Sequence, residues 1–404
     1  MMLKVCVDAT AIRGQLSGIG FYNLSLLRAL DQLQHSQQFQ GQFSLQIYYQ
    51  PGLKDWLQGR WQKNHHLAEF TDCTCLPLPV TLSDRLVSFP NPILNILNLL
   101  ETRLGKPDLI HGTDHYIFPS RQSINLLTIH DLTFLKFPEF VPPIVQRYHQ
   151  RILRCLPFAQ GILTFAESTK REINEYYQFP LERIFVTPQA SRYQDSPLST
   201  EPTAQGSDSD SANEPLSAAI PYNFAVPYFL FVSTLEPRKN IVGLIEAFNL
   251  FKQATKAPHQ LVLIGQLGWK YEPILEAIAN SPYNNEIHRL AYLPNQWLAL
   301  FYQRATAFVY PSFYEGFGLP VVEAMNFGLP VITSNGGSLP EVVADSGVLV
   351  DPQDIQALAL ALEKIVSDTD WRDHLRQKSL TRSKDFSWEN TARKTLEVYQ
   401  ILST

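Results

Sequence analysis

Pro311-Ser312-Phe313-Tyr314-Glu315-Gly316-Phe317-Gly318-Leu319-Pro320-Val321-Val322-Glu323 is the stretch from which the rest of the 404-residue chain is read. The run before it, Ala307-Phe308-Val309-Tyr310, is apolar and of strand length. Gly316 and Gly318 allow a tight turn free of side chains, and Pro320 suits the first turn of a helix. That helix is expected to pass through Val321, Val322, Ala324 and Met325 and to stop at Gly328. Its first amides, including that of Leu319, have no partner within the helix and open onto the glycine turn, where an anion such as a phosphate fits. Glu315 stands on the loop and Glu323 about one turn into the helix, so both carboxylates can face one cleft. The combination suits a ligand that is part phosphate and part polyhydroxyl, such as a nucleotide sugar. Taken alone, the same residues also have a purely structural explanation, because an acid early in a helix offsets its dipole.

The strand-then-helix alternation continues in both directions. After this stretch, strands are expected at 330–333 and 347–350 and a helix at 354–366; before it, strands at 228–232, 261–265 and 306–310 and helices at 241–252, 271–279 and 296–303. The first half carries strand candidates at 3–8, 43–49, 108–111, 125–130, 161–165 and 183–187, with helices at 19–33, 92–104, 142–156 and 168–177. Such alternation argues for parallel sheets covered on both faces, hence an α/β chain of two doubly wound domains, 1–190 and 228–385. The span 191–227 between them is rich in Ser, Asp, Pro and Thr and reads as a linker. Asp208-Ser209-Asp210 imitates an Asp-x-Asp metal motif but belongs to that linker, and Asp368-Thr369-Asp370 reads as a surface loop. No metal site is expected.

Composition narrows the function. With 45% hydrophobic and 18% charged residues the chain is an ordinary globular protein, and a net charge of -5 leaves no basic excess for nucleic acid. No apolar run reaches the roughly 18 residues of a membrane span. The first residues already read as a strand rather than a leader, and the four scattered cysteines suggest no disulfide framework, so a cytoplasmic location is expected.

Ligands of doubly wound sheets gather at the carboxyl ends of strands. The first strand ends at Asp8 and leads to Gly18-Ile19-Gly20, whose glycines let a ligand approach a helix start. The full dinucleotide fingerprint is absent, since Asn23 stands where a third glycine would fall. His130-Asp131 closes another strand and can hydrogen-bond a substrate hydroxyl; His111, with Asp114 just beyond, closes a third and could line an acceptor pocket. At the start of the second half, Ser233-Thr234-Leu235-Glu236-Pro237-Arg238-Lys239-Asn240 places two adjacent cations at a strand's mouth, where they can offset a diphosphate. Asn240 is expected to cap the helix that follows.

Thr234 to Asn240, Tyr310 to Met325, Gly328-Leu329-Pro330-Val331-Ile332-Thr333-Ser334-Asn335 and Leu339-Pro340-Glu341-Val342 together resemble the group 1 (family 4) retaining glycosyltransferases. Gly18-Ile19-Gly20-Phe21-Tyr22 and Thr128-Ile129-His130-Asp131 are similar to loops of the same family. The resemblance implies the GT-B architecture, two Rossmann-like domains facing each other across a cleft, with a closing helix from 386 to 404 returning to the first domain. It implies a nucleotide-sugar donor held by Gly18, Gly20, Gly316, Phe317, Gly318, Leu319 and Glu323, the last on the ribose hydroxyls. Chemistry falls to His130 and Glu315 near the sugar and to Lys239 on the phosphates. Where many members carry an arginine this chain has Thr234, and Arg238 is expected to supply that charge. His111, Asp114 and Asp131 are acceptor-side candidates, and no cofactor is expected. The likeness leans towards mannose from GDP-mannose, passed to a glycan or lipid-linked acceptor.

Two alternatives stay open at this stage. A glycoside hydrolase would use Glu315 and Glu323 as acid and nucleophile, and a non-catalytic protein would merely bind the nucleotide sugar. Arg147, Arg151 and Arg154 recur along one expected helix after Phe134, Phe137 and Phe140, which allows a peripheral contact with a membrane.

Overall fold

The computed structural model describes residues 2–14, 16–59, 61, 64–86, 101–118, 120–194 and 222–404. The chain forms two units, the first from Met1–Ala190 with Phe386–Thr404, the second from Ser191–Asp385. The strands are β1 (Leu3–Asp8), β2 (Phe43–Tyr49), β3 (Cys73–Cys75), β4 (Leu109–Gly112), β5 (Ile124–Thr128), β6 (Gly161–Thr164) and β7 (Ile184–Val186) in the first unit. The second has β8 (Tyr228–Val232), β9 (Gln260–Ile264), β10 (Ile287–Leu290), β11 (Ala307–Tyr310), β12 (Val331–Ser334) and β13 (Gly347–Val350). The helices used below are α1 (Gly18–His35), α2 (Ile241–Thr255), α3 (Asn295–Arg304), α4 (Leu319–Asn326), α5 (Thr369–Ser383) and α6 (Trp388–Ser403).

In the first unit the strands lie in the order β3-β2-β1-β4-β5-β6-β7, every pair parallel. Val5, Cys6 and Val7 of β1 have no exposed surface, as a strand covered on both faces requires. The order turns from descending to ascending between β1 and β4, which opens a crevice past their carboxyl ends. β3 is the strand that the pattern hid: it is three residues long, half-buried and at the sheet edge, and its cysteines read as isolated thiols. The helix expected at 142–156 is broken into Pro143–Gln146 and Tyr148–Cys155. The helix expected at 92–104 lies largely outside the described residues, as does Asp208-Ser209-Asp210.

The last helix of the chain, α6, belongs to the first unit. Trp388 meets Phe21 of α1 edge to face with ring centroids 5.8 Å apart, and Thr391 Oγ1 donates to the Pro188 carbonyl at 2.6 Å. Deeper in, the Tyr399 hydroxyl lies 2.8 Å from His111 Nδ1, and His111 Nε2 lies 2.7 Å from Thr128 Oγ1. His111 has no exposed surface and both ring nitrogens are taken. Burial, with a smaller push from His130, lowers it to about 3, so it is a neutral core residue. The expectation that His111 lines an acceptor pocket is therefore not met: the alternation of β4 turns this side chain into the sheet's packed face.

The second sheet runs β10-β9-β8-β11-β12-β13, again all parallel, with its reversal between β8 and β11. All five residues of β8 are buried, which is why that apolar run stood out in the sequence. β10 did not, because Ile287-His288-Arg289-Leu290 is an edge strand carrying two basic residues. Asp368-Thr369-Asp370 is not a loop: Asp368 accepts from the Trp371 amide at 2.9 Å and caps α5, whose first turn holds the other two. The expected linker is narrower than 191–227 at both ends. Tyr193 packs on Tyr302 and Phe327, and Tyr222 and Phe224 pack on Tyr228 and Phe301. Among the described residues no helix is long and apolar enough to cross a membrane.

Because the His111 imidazole bridges α6 to the sheet, Tyr399→Phe leaves a buried ring nitrogen without its partner. A loss of about 1–2 kcal/mol is expected in denaturant unfolding, with the helical signal of the native state unchanged.

Candidate active site

The loops after β8 and β11 meet at the reversal of the second sheet. Past β8, Pro237-Arg238-Lys239 forms one 3-10 turn that ends at Asn240, a left-handed residue with φ 54. Asn240 does not cap α2; its Nδ2 donates to the Pro352 carbonyl at 2.6 Å. Asparagine suits this position because it tolerates the left-handed region better than other side-chain-bearing residues. The turn is tied to the β11 loop by the Phe313 amide, which donates to the Arg238 carbonyl at 2.9 Å.

Both cations of this turn converge on Glu315. Lys239 Nζ donates to Glu315 Oε1 at 2.5 Å and to the Tyr310 hydroxyl at 2.8 Å. Arg238 Nη1 donates to Glu315 Oε2 at 2.8 Å and to the Tyr314 carbonyl at 2.7 Å. The Nε and Nη2 of Arg238 hold Glu236 Oε1 at 3.1 and 2.9 Å. Burial pushes the Glu315 carboxyl up, but Arg238 and then Lys239 outweigh it and hold it at about 2. Burial and Arg238 likewise oppose the charge on Lys239, and Glu315 leads the groups that more than restore it. The site is thus a sealed cluster of two cations and two carboxylates.

A second loop fixes Glu315 from behind. A side chain on Gly337, which has φ +60, would place its Cβ 2.3 Å from the Glu315 carbonyl oxygen, and one on Gly336 would sit 2.3 Å from that of Phe313. Ser338 donates to the Glu315 carbonyl through its amide at 3.0 Å and its hydroxyl at 3.1 Å. The glycine pair lets these backbones touch. Gly318, at φ 94, then starts α4 with Leu319 and Pro320 in the first turn, so the helix opens beside Gly316 and Phe317.

Glu323, one turn on, is turned away from this cluster. Its Oε1 takes Arg192 Nε at 2.6 Å and its Oε2 takes the Tyr302 hydroxyl at 3.0 Å. The two glutamates are therefore brought to one loop–helix unit with different partners, and neither is poised as the acid of a hydrolase. Glu315 in particular is ionised far below neutral pH and has no proton to give. The sequence missed Arg192, Tyr302, Tyr310, Glu236 and the Gly336-Gly337 pair. Glu236 and the glycines lay inside or beside quoted motifs, whereas nothing in the sequence marks Arg192.

In the first unit, a cavity of about 360 Å³ opens past β1 and β4, with Thr10, Arg13, Ser17, Thr81, Asp114 and Arg151 among its lining residues. Asp114 Oδ1 is buried without a hydrogen-bond partner among the described residues. Arg151 faces this cavity with its guanidinium 5.1 Å from the Tyr148 ring. Beside it, burial raises Asp8 to about 6. His130 Nε2 lies 2.7 Å from the Thr113 carbonyl and so carries the proton, leaving Nδ1 as an acceptor. Burial lowers the pKa of this ring, against a smaller opposing pull from Asp114. Asp131 is occupied locally, accepting from the Thr133 amide at 2.9 Å. Gly18 opens α1 with free space around it, whereas Gly20 is closely packed, since a Cβ there would lie 3.0 Å from the Ala11 carbonyl oxygen. Among the described residues no group of three or more His, Cys, Asp or Glu side chains converges as a metal centre would need.

The family model for glycosyl transferases group 1 matches residues 221–382, which carry the whole Arg238–Glu315–Glu323 arrangement. O-antigen chain mannosyltransferase B of Escherichia coli is 35% identical over 299 residues, covering 74% of this chain and 75% of that one. The chain belongs to the group 1 glycosyltransferases. Solved structures agree on its fold. Sucrose-phosphate synthase of Thermosynechococcus elongatus superposes with a TM-score of 0.71 at 20% identity over 99% of both chains. Anabaena HepE in complex with UDP gives 0.66 at 15% identity over 99% of this chain and 100% of its own. The glycosyltransferase thus has the GT-B fold, and its two parallel sheets are the two Rossmann-like halves of that class.

The ion cluster of this glycosyltransferase makes its stability depend on acid in a definite direction. Glu315 sits at about 2 in the folded chain against an ordinary 4.5. Its contribution is therefore complete above pH 4.5 and is lost as pH falls through 2. The difference corresponds to about 3 kcal/mol. Denaturant midpoints measured between pH 6 and 2.5 are expected to fall over that window in the natural chain, and to fall less steeply in Glu315→Gln. Equal slopes would show that the pairing does not stabilise the fold.

Proposed function

We propose that this glycosyltransferase moves mannose from GDP-mannose to a glycan or lipid-linked acceptor, with retention at the anomeric carbon and without a metal ion. The observation that carries the reading is the Arg238–Lys239 pair, fixed by Glu315 at the reversal point of the second sheet. An ammonium has three donors, and Lys239 spends two within the described residues, on Glu315 and Tyr310. The remaining donor and the opening of α4 are what a departing diphosphate needs. Similarity to an O-antigen chain mannosyltransferase favours mannose as the sugar.

In the proposed reaction the bond from the sugar C1 to the β-phosphate oxygen breaks through a cation-like transition state. The acceptor oxygen bonds to C1 on the same face, and its proton passes to the departing phosphate. The protein's part is electrostatic: charge develops on the leaving oxygen, and preorganised donors stabilise it without reorganising. Glu315 has both oxygens committed to the cations, so its role in this reading is to aim them. Glu323, with its ion pair to Arg192, takes the ribose. His130, protonated on Nε2, offers Nδ1 to a sugar hydroxyl. The cavity past β1 and β4 supports an acceptor site in the first unit, with Asp114 as one of its polar contacts.

Two measurements test this. A donor panel assayed for nucleotide release with the full chain is expected to give acceptor-dependent GDP from GDP-mannose, and the product is expected to keep the donor's anomeric configuration by NMR. Acceptor-dependent UDP release from a UDP-sugar alone would replace the donor assignment. Lys239→Ala is expected to lower kcat about 10²–10³-fold with an unchanged circular dichroism spectrum. Near-normal turnover in that variant would remove the electrostatic mechanism.

A further inference from the structure

Arg192 lies two residues into the second unit, on Ser191–Asp385's first segment, and its contacts reach both helices that flank the donor loop. Its Nε donates to Glu323 of α4 at 2.6 Å and its Nη1 to Asn295 Oδ1 of α3 at 3.1 Å. The segment is held there independently: the Tyr193 hydroxyl donates to the Asn295 carbonyl at 3.1 Å, and Asn326 Nδ2 donates to the Tyr193 carbonyl at 2.9 Å. The Tyr193 ring packs against Phe327 with centroids 5.0 Å apart. Five residues of the segment and the two helices thus agree on one position for the guanidinium.

The two halves of the ion pair differ in exposure. The Glu323 side chain is 1% exposed and that of Arg192 24%. Solvent therefore reaches this pair from the Arg192 side chain. Each carboxylate oxygen has two acceptor sites, and Arg192 and Tyr302 occupy one on each oxygen. What remains is a carboxyl group locked in orientation, edged by a cation. That is a complementary surface for a vicinal diol, one hydroxyl donating to the carboxylate and the other accepting from the guanidinium. Burial opposes the charge on Arg192, and Glu323 leads the groups that more than restore it, so the guanidinium stays charged.

We infer that Arg192 is a specificity-determining residue of the donor site, which reads the ribose 2′,3′-diol together with Glu323. This rests on the assignment of a nucleotide-sugar donor to the second unit, and it adds a residue that lies outside the loop–helix motif.

The test compares GDP with 2′,3′-dideoxy-GDP by calorimetry on the full chain. The natural protein is expected to bind GDP about tenfold more tightly than the dideoxy compound. Arg192→Met is expected to weaken GDP about tenfold and leave the dideoxy compound unchanged, so that the preference disappears. Arg192→Lys, which keeps the charge but not the planar fork, is expected to recover part of it. Arg192→Met in a Glu323→Gln background is expected to add nothing further, because both substitutions remove one contact. If Arg192→Met weakens both compounds equally, or neither, the inference fails while the donor assignment stands. If the natural protein binds no nucleoside diphosphate, the donor assignment itself fails. Where Arg192→Met does not fold, Arg192→Lys alone decides: a preference identical to the natural one overturns the inference.

Discussion

The second unit of this enzyme depends on a buried cluster in which Arg238 and Lys239 share Glu315. Removing four charges from water costs several kcal/mol per ion, and their mutual attraction repays that only when geometry is good and the remaining donors and acceptors are satisfied. Here the hydroxyl of Tyr310 and the carbonyl of Tyr314 each take a further donor from the two cations. The pairing therefore offsets the cost of burying these charges and fixes their direction. Two cations held this close are unfavourable on their own, and Glu315 makes the arrangement tolerable in the absence of a ligand.

Sheet topology decides where such a cluster can exist. β8 and β11 are neighbours, yet the strands on their outer sides run away in opposite senses, so the loops after them are not covered by a crossing helix. The β8 loop supplies the cations and the β11 loop the carboxylate and the glycine turn. The β12 loop supplies Gly336 and Gly337, whose missing side chains let it press against the backbone of Glu315. Three loops are thus needed to set one carboxylate. A change in any of them moves the cations as well, since Glu315 is their common partner.

Much of this was legible because local chemistry and fold agree. β8 announced itself by an uninterrupted apolar run, β1 and β2 by apolar residues interrupted only by Lys4, Ser44 and Gln46, and the turn, proline and stop of α4 fell where Gly318, Pro320 and Gly328 put them. What escaped has physical reasons. Edge strands such as β3 and β10 bury too little to show a pattern. Asn240 has the composition of a cap but serves a left-handed backbone. His111 sits at a strand end like a site residue, and only the return of α6 nearly 300 positions later reveals that its ring belongs to the core. Arg192 is the same case in reverse, a charge beside low-complexity sequence whose partner is 131 residues away. Long-range pairing of single residues leaves no periodicity to read.

The two units solve opposite electrostatic problems. In the first, burial acts on histidines without strong counter-charges: His111 and His115 both fall to about 3, and His130 is lowered as well. The result is a set of buried rings that stay neutral across the neutral pH range. In the second unit burial acts on carboxylates and cations that face one another, and pairing overrides it, so the charges survive. Each unit thus keeps polar groups away from water at a bearable cost, the first through neutral histidines and the second through paired charges.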